Sequence, residues 1–264
     1  ARLMLAAGGV DEAGVQDLAV IELHRAGVIA HAAAHADIGG ERRPLGRAAR
    51  PAGSDPGGRA AGHPDLITID IGGTSTDICL IDRGQPNMLT EGRIDIYNIK
   101  APMIDMHTVG AGGGSIAWLA AGRSLRVGPQ SAGAQPGPVC YGRGGTAPAL
   151  TDAHIVLGRV SPYLLGGAIR LDGAAARRAI EQHVATPLGL SVEEAALGIL
   201  DLATNNIAQG INVVSVKRGR DPRHYALMAF GGAGGLNACL VADALGIRTI
   251  VLPPAPGVTS AEGL

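Results

Sequence analysis

The stretch Leu66-Ile-Thr-Ile-Asp70-Ile-Gly72-Gly73-Thr74-Ser75-Thr76-Asp77-Ile-Cys-Leu-Ile81 leaves the backbone little freedom. Two apolar runs of strand length flank Gly-Gly-Thr, which predicts a tight hairpin whose tip carries no side-chain bulk. Gly72 and Gly73 allow backbone angles closed to other residues, and successive N–H groups in such a turn point into one concavity that suits an anion. Thr74, Ser75 and Thr76 add hydroxyl donors. Asp70, at the end of the first strand, would stand too close to a bare phosphate without a cation between them, so a magnesium ion with bridging waters is the natural companion. An ordinary β-hairpin with a Gly-Gly turn is the plainer alternative. It ranks second, because such a turn has no need of three hydroxyls bracketed by two aspartates.

Composition narrows the class. The chain has 264 residues, enough for one large domain or two small ones. Apolar residues make up 46% and charged residues 17%, a globular balance, and the net charge of −1 argues against a general nucleic-acid binder. With 2% aromatic residues, stacking surfaces are scarce and the core must be built from Ala, Val, Leu and Ile. Gly 41 and Pro 16 fall in clusters between apolar runs, as working loops do. Cys79, Cys140 and Cys239 lie far apart without C-x-x-C spacing, so neither a zinc knuckle nor a disulfide framework is indicated, and a reducing, cytoplasmic setting fits. No apolar run approaches the roughly 20 residues that span a bilayer. The chain starts at Ala1 and not at Met, so the lack of a signal peptide says little about the intact protein.

In chain order, Arg2 to Val10 reads as a short buried strand ending in a glycine turn. Residues 12 to 36 are helix-compatible with an irregular apolar stripe, and His24, His31 and His35 read there as a solvated face. Gly39 to Gly62 is almost wholly Gly, Ala, Arg and Pro, the composition of a flexible or disordered loop. After the central hairpin, Arg93 to Tyr97 alternates as a half-buried strand. Pro102 to Val109 alternates again, which puts Asp105 and His107 on one face, a candidate metal or substrate pair. They lead into Gly110-Ala-Gly112-Gly113-Gly114-Ser115 and then Ile116-Ala-Trp118-Leu, read as a turn of helix. A glycine loop at a helix start predicts a substrate or anion loop at Gly110, Gly112, Gly113 and Gly114. From Met106 through Thr151 there is no Asp or Glu, whereas Arg123, Arg126 and Arg143 are present. Gly128 to Gly145 is too dense in Gly and Pro for regular structure and predicts a long ordered loop or a lid. Thr151-Asp152 opens a helix in which Asp152 serves a ligand or simply caps.

The last third is more regular. Asp172 caps a short helix that stops before Pro187. Ser191-Val-Glu-Glu194 is a capping box, after which Val192, Ala196, Ile199, Leu200, Ala203, Ile207, Ile211 and Val214 keep a helical period to about Lys217. Asn205, Asn206 and Gln209 lie off that stripe. Tyr225 to Phe230 is a buried strand, Gly231 to Gly235 a glycine turn, Leu236 to Leu245 a helix, and Thr249 to Leu252 another strand, with the glycines at the ligand-facing end. Neither Gly110-x-Gly112 nor Gly232-x-Gly234 completes a G-x-G-x-x-G fingerprint, and neither Lys100 nor Lys217 sits in a Walker loop.

What remains, an Asp-x-Gly-Gly-Thr hairpin followed far along by Gly-Gly-x-Gly at a helix start, resembles the actin, hexokinase and sugar-kinase group of ATPases. The longer matches resemble one branch of it: Leu66 to Asp77, Thr108 to Trp118, Val127 to Gly133, Pro136 to Gly142, Leu150 to Ala153 and Phe230 to Gly234 are similar to the hydantoinase A and 5-oxoprolinase family, which includes acetone carboxylase-type subunits. The resemblance covers Pro64 to the end and Leu3 to Val10. It implies an α/β fold, one half of an actin/hexokinase-like (ribonuclease H-like) ATPase with a mixed sheet and flanking helices over residues 64–264, preceded by a divergent segment, 1–63.

The resemblance further implies ATP as a cofactor, with the Mg2+ read at Asp70, and the shared face of Asp105 and His107 offers a place for a second divalent metal or for substrate. The hairpin at Asp70 corresponds to the second phosphate loop, with Asp70, Gly72, Gly73, Thr74 and Ser75 at the nucleotide and Asp70 toward the metal. Gly231, Gly232 and Gly234 correspond to the adenosine loop. The family activates a cyclic amide, lactam or ketone oxygen with ATP, usually beside a hydantoinase B-type partner. The implied activity is therefore ATP-dependent opening of a cyclic amide such as hydantoin, 5-oxoproline or a lactam. A ketone carboxylase subunit and a nucleotide-gated module without catalysis of its own are the alternatives. The family's first phosphate hairpin belongs to an N-terminal ATPase half absent here, and its chains normally continue past Leu264, so a fragment is expected. The family's Ser-Gly-Pro-Ala-Ala-Gly turn has no counterpart in residues 11–63, whose Arg, Ala, Gly and Pro content is what a shifted reading frame of a GC-rich gene would yield. Neither nucleic acid nor membrane is an expected partner.

Overall fold

A computed structural model describes Arg2–Leu5 and residues 63–90, 92–94, 97–99, 103–164, 167, 169–253, 256–257 and 259. The readings for the helix-compatible stretch 12–36, its three histidines and the loop 39–62 lie outside the described residues.

Along the chain, the main strands are β1 (Arg2–Leu5), β2 (Leu66–Ile71), β3 (Thr76–Asp82), β4 (Gln85–Pro86), β5 (Met106–Val109), β6 (Ser115–Ala120), β7 (Ser124–Ser131), β8 (Ala226–Phe230) and β9 (Thr249–Leu252). The main helices are α1 (Leu150–Val156), α2 (Gly173–Ile180), α3 (Val192–Val214) and α4 (Gly234–Leu245). Seven strands form one mixed sheet in the order β1-β9-β8-β2-β3-β4, with β5 also on β3. The first four in that order run parallel, and β2, β3, β4 and β5 meet antiparallel. The expected hairpin is β2–β3, in register from Leu66 opposite Ile81 to Ile71 opposite Thr76. Parallel pairing sets Phe230 of β8 beside Asp70 of β2, so the Gly72 and Gly231 turns leave the sheet side by side.

The helix-bearing face of the sheet packs Ile67, Ile69, Ile71, Ile78, Leu80, Leu227 and Ile250 against Ile207, Ile211 and Val214 of α3 and Ala238, Val241 and Ala242 of α4. Gly210 lets α3 approach this closely, since an added Cβ there would collide with Val109 Cγ2 and Ile78 Cδ1. The other face buries Leu66, Ile81, Met228, Phe230 and Val251. A central strand buried on both faces reads as the near-continuous apolar run seen in β2. A second cluster joins α1, α2 and the first half of α3 to Ala117 and Val127 of the β6–β7 hairpin. The capping box opens α3 as expected: Ser191 Oγ accepts from the Glu194 N–H at 3.2 Å and Glu194 Oε2 accepts from the Ser191 N–H at 2.8 Å.

Four readings of local structure are corrected. Ile116 to Leu119 is not a helical turn but the middle of β6, because pairing with β7 puts Ala117 inward and Trp118 outward. Gly128 to Ser131 belongs to β7, so the irregular loop starts later, and it contains a short 3-10 turn at Val139–Tyr141. The chain does not leave the helical conformation before Pro187. A wider π-type turn, Glu181–Ala185, carries α2 on into Thr186–Leu188, and Pro187 falls directly after that widening. Arg93 to Tyr97 is not one strand, since Gly92–Ile94 pairs antiparallel with Tyr97–Ile99.

Candidate functional site at the carboxyl ends of two parallel strands

Ligands of open α/β sheets bind outside the carboxyl ends of the strands, and here the ends of β2 and β8 present the expected residues together. The tip between β2 and β3 is closed by the Gly72 N–H on Ser75 O at 3.0 Å. Gly73 and Thr74 are exposed, and among the described residues no acceptor takes their N–H groups. An added Cβ at Gly73 would meet nothing within 4 Å. Packing therefore does not require glycine there, and the tip presents a bare outer surface. Asp70 is half-buried at the base of the tip, its Oδ1 against the backbone of Gly231 where a Cβ would stand. Gly231 holds φ at +83°, a left-handed angle that suits glycine, and its N–H donates to Pro256 O at 2.8 Å. The turn returns to the hairpin through the Ala233 N–H on Ile71 O at 2.9 Å, and α4 starts at Gly234. Gly232 stays exposed and Gly234 is buried over Ala229.

The 110–114 loop does a different job from the one its composition suggests. The helix expected directly after it is absent, because the residues that follow form β6. Its amides are also engaged: Gly112 N–H on Ser115 Oγ at 2.8 Å, Gly113 N–H on Gly72 O at 2.9 Å and Gly114 N–H on Gly73 O at 2.5 Å. A Cβ on Gly112 would come within 2.8 Å of the Gly72 carbonyl, Ser75 N and Thr74 C, and one on Gly110 within 2.9 Å of Pro129 Cβ. These glycines let one loop lie on another and brace the hairpin tip. Of the three hydroxyls, Thr76 Oγ1 is buried and donates to Ala111 O, while Thr74 Oγ1 lies 3.2 Å from Ser131 Oγ at the surface. Ser131, which also accepts the Gly133 N–H at 3.0 Å, escaped the sequence reading because it is 57 residues from Thr74.

Asp105 and His107 belong to different surroundings. Asp105 falls between two short strands and is 4% exposed, bonded and ion-paired to Arg218. His107 pairs opposite Ile78 beneath Gly210 of α3. Among the described residues no group of three or more His, Cys, Asp or Glu side chains gathers to hold a metal. Asp152 is buried and accepts the N–H groups of Val139 at 3.1 Å, Cys140 at 2.7 Å and Ala149 at 2.8 Å, so it fastens the proline-rich loop to the start of α1. Asn206 donates to Val127 O at 3.2 Å, tying α3 to the β6–β7 hairpin. Burial, with Asp105 adding to it, pushes the Cys79 thiol up to about 12; burial and Asp152 raise Cys140 as well. Neither is a nucleophile at neutral pH. His154, on α1, is held neutral by burial at about 4.

No helix among the described residues is long and apolar enough to cross a membrane. Residues 48–264 match the Hydantoinase/oxoprolinase family model, a span that starts inside the segment set apart as 1–63. The alpha subunit of caprolactamase from Pseudomonas jessenii is 48% identical over 193 residues, which cover 73% of this chain and 28% of that protein. The solved ATP-dependent caprolactamase superposes with a TM-score of 0.72 at 45% identity, over 78% of this chain and 30% of its own. An acetone carboxylase solved without nucleotide gives 0.72 at 32% identity, over 78% of this chain and 29% of its own. The chain thus spans less than a third of the length of these relatives. Its mixed sheet with flanking helices is of the actin/hexokinase-like (ribonuclease H-like) class, as the motifs led one to expect. Family model, sequence identity and superposition agree, and the chain belongs to the hydantoinase/oxoprolinase family.

Proposed function

We propose that this chain is the nucleotide-binding part of an ATP-dependent hydrolase that activates and opens a cyclic amide. The observation that carries the reading is the meeting of the bare Gly72–Thr74 tip with the Gly231 turn at the carboxyl ends of β2 and β8. Exposed tip amides of Gly73 and Thr74, with the Thr74 hydroxyl, suit phosphate oxygens. Gly231, Gly232 and Gly234 would lie near the adenosine. Asp70, at the base of the tip, is placed to hold Mg2+ through water, and the donor set fits: one carboxylate beside a phosphate cradle is how this ion is commonly held. Bound there, ATP and the ion would supply an activated phosphoryl group and neutralise its charge. The chain's own part is positioning: the 112–114 loop keeps the tip rigid, and backbone donors aimed at developing charge need no reorganisation during transfer.

Identity to an ATP-dependent caprolactamase, above that to acetone carboxylase, supports a lactam-type ring over a ketone. A hydantoinase B-type subunit is the proposed partner for completing hydrolysis. The test is ATP-dependent ring opening by the intact protein with that subunit, using caprolactam, 5-oxoproline and hydantoin, against ATP-dependent bicarbonate fixation on a ketone. Carboxylation without ring opening would favour the carboxylase reading, and ATP binding without either reaction the gating one.

A further inference from the structure

Helix α1 is short, yet two of its polar side chains, one turn apart, reach the glycine loops on both sides of the end of β2. The Thr151 N–H and Oγ1 both donate to Gly113 O at 2.8 Å, and Gly113 in turn holds Gly72 O. His154 is 1% exposed, with Nε2 3.2 Å from Asn237 Oδ1. Asn237, fully buried, donates through Nδ2 to Ala233 O at 2.9 Å, and Ala233 holds Ile71 O. A neutral imidazole donating from Nε2 satisfies this chain of bonds and leaves Nδ1 without a protein partner among the described residues. Burying a histidine costs desolvation of both ring nitrogens, only one of which has a protein partner here, and an apolar side chain would fill the same space without that cost. The polar link must therefore serve something other than packing.

We infer that Thr151 and His154 are positioning residues for the nucleotide site, Thr151 fixing the phosphate hairpin through Gly113 and His154 fixing the Gly231–Gly234 turn through Asn237. The inference rests on the nucleotide reading above. It separates the two ends of the ligand: one residue governs the phosphate end, the other the nucleoside end.

The experiment uses the intact protein with three probes, ATP, adenosine and inorganic triphosphate, and reads backbone hydrogen exchange alongside binding. In His154→Ala, ATP and adenosine affinities should fall roughly tenfold, about what one lost hydrogen bond implies, while triphosphate affinity stays within about twofold. Exchange at the Ala233 amide should quicken and that at Gly113 should not. His154→Gln, which restores a donor at similar reach, should recover most of the loss. Thr151→Val should show the reverse pattern, with triphosphate weakened, adenosine unchanged and exchange altered at Gly113 only. Exchange that moves at both loops in both variants, or at neither, overturns the inference, as does failure of His154→Gln to restore binding when it melts like the parent. Local exchange changes in the expected pattern with unaltered ATP affinity would instead overturn the nucleotide reading and leave the loop positioning standing.

Discussion

A methyl group added at Gly73 would touch nothing, whereas one added at Gly112 would press on the backbone of the opposite turn. The two glycines should therefore fail differently when replaced. Gly73→Val should leave the denaturation midpoint unchanged and abolish ATP binding in the intact protein; calorimetry checks this, and unaltered affinity would remove the tip from the nucleotide site. Gly112→Ala should lower stability by about 2 kcal/mol in urea denaturation, because the collision is with main chain that cannot rotate away. His154 yields a prediction about pH. Its folded value near 4 lies below the ordinary 6.5, so the unfolded chain takes up the proton first. Its contribution is thus complete above pH 6.5, is lost progressively as pH falls toward 4, and changes no further below that. The loss should reach about 3 kcal/mol, read as the difference between parent and His154→Gln across that window.

Among the elements, the loop from Gly133 to Ala149 is held to α1 by the Asp152 carboxylate and three N–H groups. Asp152→Asn keeps the shape but turns an amide donor toward those donors, so it should cost about 3 kcal/mol and speed hydrogen exchange at Val139, Cys140 and Ala149 before the rest of the chain. That role was legible only in part: a residue near a helix start reads as a cap, but partners 12 and 13 residues back cannot be read from spacing. The β2–β3 hairpin and α3 were legible because local order decides them, through two apolar runs around Gly-Gly in one case and a capping box with a sustained period in the other. Ile116 to Leu119 was misread because four apolar residues fit a helix turn and a strand equally; pairing with Ser124–Ser131 settles the matter, and periodicity cannot see a partner. Asp105 suffered likewise, its partner Arg218 lying 113 residues on.

At the scale of the whole molecule, the glycine motifs marked where the chain turns but not that three of those turns abut. If nucleotide in this fold is gripped from two sides, a chain spanning less than a third of its relatives' length supplies only part of the grip. The isolated chain should then bind ATP at least about a thousandfold more weakly than the intact protein, as several lost charge-assisted hydrogen bonds would imply, and should release no phosphate. Micromolar affinity with steady turnover would show that these residues suffice. The contact between the 72–73 and 112–114 turns carries a consequence for inheritance and for engineering. Each turn is the mould in which the other is cast, so neither can drift alone: a substitution in one narrows what the other can accept. A graft of the hairpin into a foreign scaffold should fail unless the second turn, distant in sequence, travels with it.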